Sequence, residues 1–90
     1  MFKTITQIKI ANKNAGFHFF DRKTLKFFNS KVESRVIRGN LFITSERFDA
    51  TTPRRFTVRA AMVTGAIKTV GGCMQHATLE SAKEACKALS

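Results

Sequence analysis

Tryptophan and tyrosine are both missing from this chain, so all nine of its aromatic residues are phenylalanines without a polar tip. Rings of that kind suit a packed interior better than a polar-tipped recognition surface. Acid is scarce as well: six Asp and Glu stand against sixteen Lys and Arg, leaving a formal net charge of +10. Unpaired charge is not buried, so the excess is expected on the surface, where it attracts polyanions or an acidic protein. No apolar run approaches the ~18 residues that span a bilayer, and MFKTITQIKI lacks the unbroken apolar stretch of a signal peptide. No membrane role is expected, and the expected location is cytoplasmic. Cysteine is limited to Cys73 and Cys86, which in a reducing compartment are expected to be free and buried.

What is present fits one small globular domain over residues 1–90. Hydrophobic residues make up 43% and charged residues 24%, a folded rather than a disordered composition. Ninety residues bury one modest core without an enclosed catalytic cavity, so one layer of helices on one sheet is expected.

Local patterns place the elements. Thr4 and Gln7 form a capping box, and Ile5, Ile8, Ala11 and Ala15 follow at helical spacing up to Gly16, which predicts a first helix. Alternation in TITQIKI supports a strand as the rival reading. Asp21 is placed to cap a second, short helix in RKTLKFFN, with Phe20 and Leu25 as a hydrophobic staple and Leu25 and Phe28 on one face. Arg22, Lys23 and Lys26 oppose the macrodipole of that helix, so local stability does not account for them.

From Lys31 to Val63 the apolar residues are β-branched or aromatic, in three runs (KVESRVIRG, LFITSERF, RRFTVRAAMV) that predict strands. Gly39-Asn40 and Thr64-Gly65 read as hairpin turns, the second leading into AIKTVGG as a fourth strand. With Thr64 and Gly65 as a two-residue turn, Phe56, Val58, Ala60, Met62 and Ile67 line one face and Arg55, Thr57, Arg59 and Lys68 the other. That register leaves Val70 on the basic face, unless Gly71-Gly72 holds a bulge or the turn is longer. A third helix in ATLESAKEACKALS is capped by Thr78, with Ala82, Cys86 and Leu89 on its inner stripe. The expected fold is α+β: an antiparallel sheet of three to four strands, with two N-terminal helices and one C-terminal helix packed on it.

Between Arg22 and Arg59 ten basic residues face three acidic ones, Glu33, Glu46 and Asp49, so charge concentrates in the middle of the chain. The expected binding surface is a basic strand face of Arg54, Arg55, Arg59 and Lys68, with Arg35, Arg38 and Arg47 on neighbouring segments. Arginine's planar fork binds phosphate bidentately, and a sheet or ribbon can follow a nucleic-acid backbone. Charge reversal at Arg55 and Arg59 is expected to abolish partner binding and spare the fold. Phe42, Phe48 and Phe56 are assigned to the core.

Other chemistries find little support. Cys73 and His76 have metal-ligand spacing, and His18 and Cys86 complete a set of four, but structural zinc usually arrives as two close pairs. No local signature of a nucleophilic triad occurs, and Gly71-Gly72 lacks the Lys-Ser or Lys-Thr of a phosphate loop. No enzyme activity, cofactor or metal is expected.

The sequence TVRAAMVTGAIKTVGGCMQHATLESAKEACKAL resembles the three-strand-plus-helix units that read DNA with a sheet, as in AP2-type and integrase arm-type domains. The order of elements also resembles that of double-stranded-RNA-binding domains. Over nearly the whole length, NKNAGFHFFDRKTLKFFNSKV, FITSERFD, PRRFTVR and KTVGGCMQHATLESAKEA resemble small phage- and plasmid-encoded accessory proteins. Those proteins share F-F-x-x-x-T-x-x-F-F-x-S, F-x-T-S-E and R-x-[FY]-T-[VI]-R motifs. The resemblance implies an accessory protein of a mobile element, of a kind that often acts on host nucleic-acid machinery; with the basic strand face, the expected function is non-enzymatic binding of DNA, RNA or a nucleoprotein complex in the host cytoplasm. The alternative it implies is a protein inhibitor of a host defence complex, of the anti-CRISPR kind, bound to an acidic or nucleic-acid-binding host protein.

Overall fold

Thr4 caps the first helix as its pattern predicts. In the computed structural model, which describes residues 2–27 and 29–89, α1 runs from Ile5 to Asn14 and the Gln7 amide donates to Thr4 Oγ1 at 3.2 Å. The Gln7 side chain closes the box one residue further back than expected, accepting from the Lys3 amide at 2.7 Å. Helix, not strand, wins at TITQIKI. The end is a Schellman motif: Gly16, at φ 84°, donates to Lys13 O, and Phe17 donates to Asn12 O. Ile8 is buried, but Ala15 lies exposed rather than on the inner stripe.

The same chemistry ends α2, Arg22–Phe27. Asn29 takes the left-handed conformation, at φ 51°, and donates to Lys26 O, while Ser30 donates to Leu25 O at 2.7 Å. The pairing expected of Leu25 with Phe28 falls partly outside the described residues.

Four strands follow as an antiparallel meander in the order β1-β2-β3-β4: Lys31–Val32, Leu41–Glu46, Arg55–Ala61 and Ile67–Val70. The fold is therefore the expected α+β sheet with three helices, but three local expectations change. First, KVESRVIRG forms only a two-residue strand and an isolated Ile37–Leu41 bridge. The Ser34 hydroxyl accepts from the Ile43 amide at 2.8 Å, taking the place of a ladder carbonyl and letting the chain leave the sheet. Second, the β1–β2 turn is centred on Arg38 and Gly39, both at positive φ, rather than on Gly39-Asn40.

Third, the β3–β4 turn has three residues. Met62 donates to Ala66 O and Gly65 to Met62 O, so Ala61 pairs with Ile67 and Ala60 with Lys68. That one-residue change moves each β4 side chain to the other face. Val70 now pairs with Val58 in the core, and Lys68 leaves the face that carries Arg59. Beyond Val70 the chain makes an excursion and rejoins the sheet edge at His76, which exchanges both backbone hydrogen bonds with Phe56.

Helices clad both faces of the sheet, not one. All six residues of β2 are buried, a pattern a half-solvated strand does not show. On one face Leu41, Ile43, Val58 and Ala60 pack with Ala82 and Cys86 of α3, Leu79–Ala88, which Thr78 caps through the Ser81 amide at 3.1 Å. On the other, Phe42 and Ala61 pack with Ile8 of α1, beside the half-buried Phe19 and Phe20. Phe20 stacks on Phe42 at 5.9 Å, and Phe19 meets it edge-on at 6.3 Å. Leu89, expected inside, is 54% exposed just past α3, and Phe48, expected in the core, is 78% exposed.

Both cysteines are free, Cys86 buried and Cys73 exposed. Burial raises the Cys86 thiol pKa, since a thiolate there would be desolvated. A native-state thiol titration is expected to modify Cys73 promptly and Cys86 only on unfolding. Two fast-reacting thiols would show that α3 does not seal that face.

Candidate nucleic-acid interface

Arg54 precedes β3 and turns its guanidinium inward along the sheet. Its Nη1 donates to Asn29 O at 2.7 Å, Ser45 Oγ at 2.8 Å and Ser45 O at 3.1 Å. The Asn29 carbonyl is presented by the left-handed turn that ends α2, so that helix end and the start of β3 are tied together. The tie gathers Arg22, Lys26, Lys31 and Arg54 around an open cleft of about 510 Å³, floored in part by Phe20 and Leu25. Among the described residues no carboxylate lines it; Glu33 lies behind Arg54, its Oε1 accepting from Ser45 Oγ at 3.1 Å.

Of these four, sequence reasoning reached Arg54 alone. Two of the other three left a signal. Arg22 and Lys26 are a like-charge i, i+4 pair in a six-residue helix with no acid in its first turn, and such pairs weaken an isolated helix by about 0.2–0.5 kcal/mol. Residues that cost local stability are the ones a surface field explains.

The remaining predicted residues do not form one wall. Arg35 and Arg38 are exposed in the β1–β2 connection, and Arg38 stands at φ 57° in the turn. Arg47 is half-buried just past β2, with its Nε enclosed and without a hydrogen-bond partner. Arg55 is exposed, and it holds the 71–75 excursion through Nε to Met74 O at 2.8 Å and Nη2 to Gln75 O at 3.1 Å. Lys68 is exposed on the face that α3 covers.

Arg59 is an interior residue, its side chain 12% exposed. Nε donates to Thr44 Oγ1 at 3.0 Å and Nη1 to Thr69 Oγ1 at 2.6 Å, and the guanidinium lies 5.3 Å from the Phe19 ring centroid. Nη2 stands 3.4 Å from Glu46 Oε2, in an ion pair whose carboxylate is 2% exposed. Glu46 Oε1 accepts from Thr57 Oγ1 at 2.6 Å, and Thr57 Oγ1 accepts in turn from the Met74 amide at 2.8 Å. Alternate positions of β2, β3 and β4 thus build a polar layer beside Phe19, which explains why an alternation that looks solvent-facing is buried.

Among the described residues no three His, Cys, Asp or Glu side chains gather as metal ligands, and no helix is long and apolar enough to cross a membrane. Fold and cleft together define a small α+β domain, an antiparallel meander clad on both faces, with a cationic cleft beside its short first strand. The chain belongs to the family of unknown function DUF7447, which matches residues 4–87. No curated protein and no solved structure matches it.

Proposed function

We propose that this protein is a non-enzymatic accessory module, of the kind mobile elements carry, that binds nucleic acid through the Arg22, Lys26, Lys31 and Arg54 cleft. The observation that carries the reading is the gathering of four cations, Arg22, Lys26, Lys31 and Arg54, in the lining of one cleft. Arginine and lysine there neutralise phosphates and release counterions, and that term dominates sequence-independent affinity. A net charge of +10 adds long-range attraction. Phe27, 78% exposed on the same helix as Arg22 and Lys26, offers an aromatic surface for an unpaired base.

Mobility-shift titrations at two salt concentrations test this. Each lost phosphate contact lowers the salt slope by about 0.7 on single strands and about 0.9 on duplex. Arg22→Glu with Lys26→Glu is expected to lower that slope by about 1.4–1.8 and to weaken binding at least tenfold at low salt. Lys68→Glu, on β4 at the opposite edge of the sheet from β1, is expected to change both far less. Equal losses from the two variants would point to diffuse charge instead of a cleft.

A second reading, inhibition of a host defence complex by protein contact, is favoured by Phe48, which stands 78% exposed in the β2–β3 connection. A host protein retained on the immobilised chain after nuclease treatment, and released by Phe48→Ser, would support it.

A further inference from the structure

A second groove continues the cationic cleft along β1. Asn29, Ser30 and Lys31 line the cleft and Val32 through Val36 line the groove, so the two spaces meet at the step from Lys31 to Val32. The start of α1 forms the groove's other wall, with Lys3 and Ile5, and encloses about 630 Å³. Lys3 and Arg35 are exposed there, and neither has an ion-pair partner among the described residues. The groove holds one carboxylate, Glu33. Its Oε1 accepts from the Ser45 hydroxyl that Arg54 Nη1 reaches at 2.8 Å, so its charge is held toward a guanidinium. Apolar side chains accompany the cations in both spaces: Phe20 and Leu25 in the cleft, Ile5, Val32 and Val36 in the groove.

We propose that cleft and groove form one track for a single-stranded nucleic acid, its phosphates on the cations and its unpaired bases against the apolar walls. This rests on the reading of the cleft as the phosphate site. A strand that outruns the cleft along β1 meets the next two unpaired cations, Lys3 and Arg35, in the groove. The apolar walls decide between single strand and duplex. A duplex keeps its base faces stacked inside, whereas an unpaired strand turns them out to side chains, in contacts that tolerate any base.

Fluorescence-anisotropy titrations at two salt concentrations separate the two spaces, with oligo(dT) of roughly four and roughly twelve nucleotides, within the ~4–16 that single-strand-binding folds cover. The shorter strand carries no more phosphates than the cleft has cations, and only the longer one reaches the groove. Lys3→Gln with Arg35→Gln is expected to lower the salt slope by about 1.4 on the longer strand and to leave it unchanged on the shorter. Both side chains are exposed, so an unchanged thermal midpoint is expected and checks that the fold holds. Lys68→Gln with Lys83→Gln removes the same charge from β4 and α3 and is expected to leave both slopes as in the parent. A second arm leaves the protein unaltered: an abasic strand of the longer length and equal charge is expected to bind about tenfold more weakly than oligo(dT). A long-strand slope indifferent to the Lys3 and Arg35 substitutions, or lowered as much by those at Lys68 and Lys83, overturns the track. An abasic strand bound as tightly as oligo(dT) overturns the base contacts, and with them the single strand as occupant. Either result leaves the cleft standing. Failure of the longer oligo(dT) to bind at low salt overturns the cleft and the track together.

Discussion

Gly65→Ala is expected to cost about 3–5 kcal/mol of stability, a large share of the roughly 5–15 kcal/mol a small domain holds. Two independent effects combine. Gly65 stands at φ +92°, where a side chain is strained by about 1–3 kcal/mol. A Cβ there would also lie 2.5 Å from Ala11 O and 2.9 Å from Ala15 Cβ, so the β3–β4 turn and α1 must move apart. Moving them breaks the bond from Asn12 Nδ2 to Gly65 O, 2.7 Å long and buried, and an unpaired amide in the interior costs about another 1–3 kcal/mol. Asn12 Oδ1 also accepts from the Phe19 amide at 3.2 Å, so the damage spreads to the segment that sets Phe19 beside the polar layer. For a domain of this size the thermal midpoint is expected to fall by about 15–30 °C. Gly16→Ala is the matched control: its φ is +84° but nothing lies within 4 Å of the added carbon, so only backbone strain applies. Equal midpoints for the two variants would mean that α1 does not rest on the turn.

Much of this architecture is written locally. Thr4, Asn29 and Thr78 mark helix ends because capping chemistry reaches no further than a turn, and Gly16 ends α1 for the same reason. The unbroken run Leu41-Phe42-Ile43 also carries a signal that alternation arguments pass over: a strand apolar on successive residues is covered on both faces. Other features depend on contacts that no local pattern encodes. KVESRVIRG has β-branched residues enough for a long strand, and the Ser34 hydroxyl overrides that propensity by capturing a ladder amide. The register of β4 turned on one residue of turn length. The cleft depends on a bond between Arg54 and the Asn29 carbonyl, so its cations are legible separately, Arg22 and Lys26 as charges in unfavourable places, and meet only once β3 is laid beside α2's end. Arg59 was the least legible of all. Its partners Glu46, Thr44 and Thr69 lie on neighbouring strands, and the ring against its guanidinium is Phe19, from well before the sheet in the chain.

The burial of Arg59 reverses the outcome expected of charge reversal on β3. Arg59→Glu would set a second carboxylate beside Glu46, already 1% exposed, and strip Thr44 and Thr69 of their donor. Losing one member of a buried pair typically costs about 3–5 kcal/mol, and a like charge in its place adds repulsion in a medium that screens poorly. The variant is expected to unfold, losing its cooperative denaturation transition. Arg55→Glu is expected to remain folded, within about 1 kcal/mol of the parent, because its bonds to Met74 and Gln75 are solvent-exposed. A binding loss in the double variant therefore reports on stability and says nothing of a ligand. The pair itself is separable from its burial. Arg59→Met alone leaves Glu46 uncompensated and is expected to cost about 3–5 kcal/mol, whereas Arg59→Met with Glu46→Leu removes both charges and is expected to recover most of that loss. Denaturant midpoints of the two single variants and the double variant measure the coupling. If Arg59→Glu melts with the parent, the guanidinium is solvated and the polar layer described above does not exist.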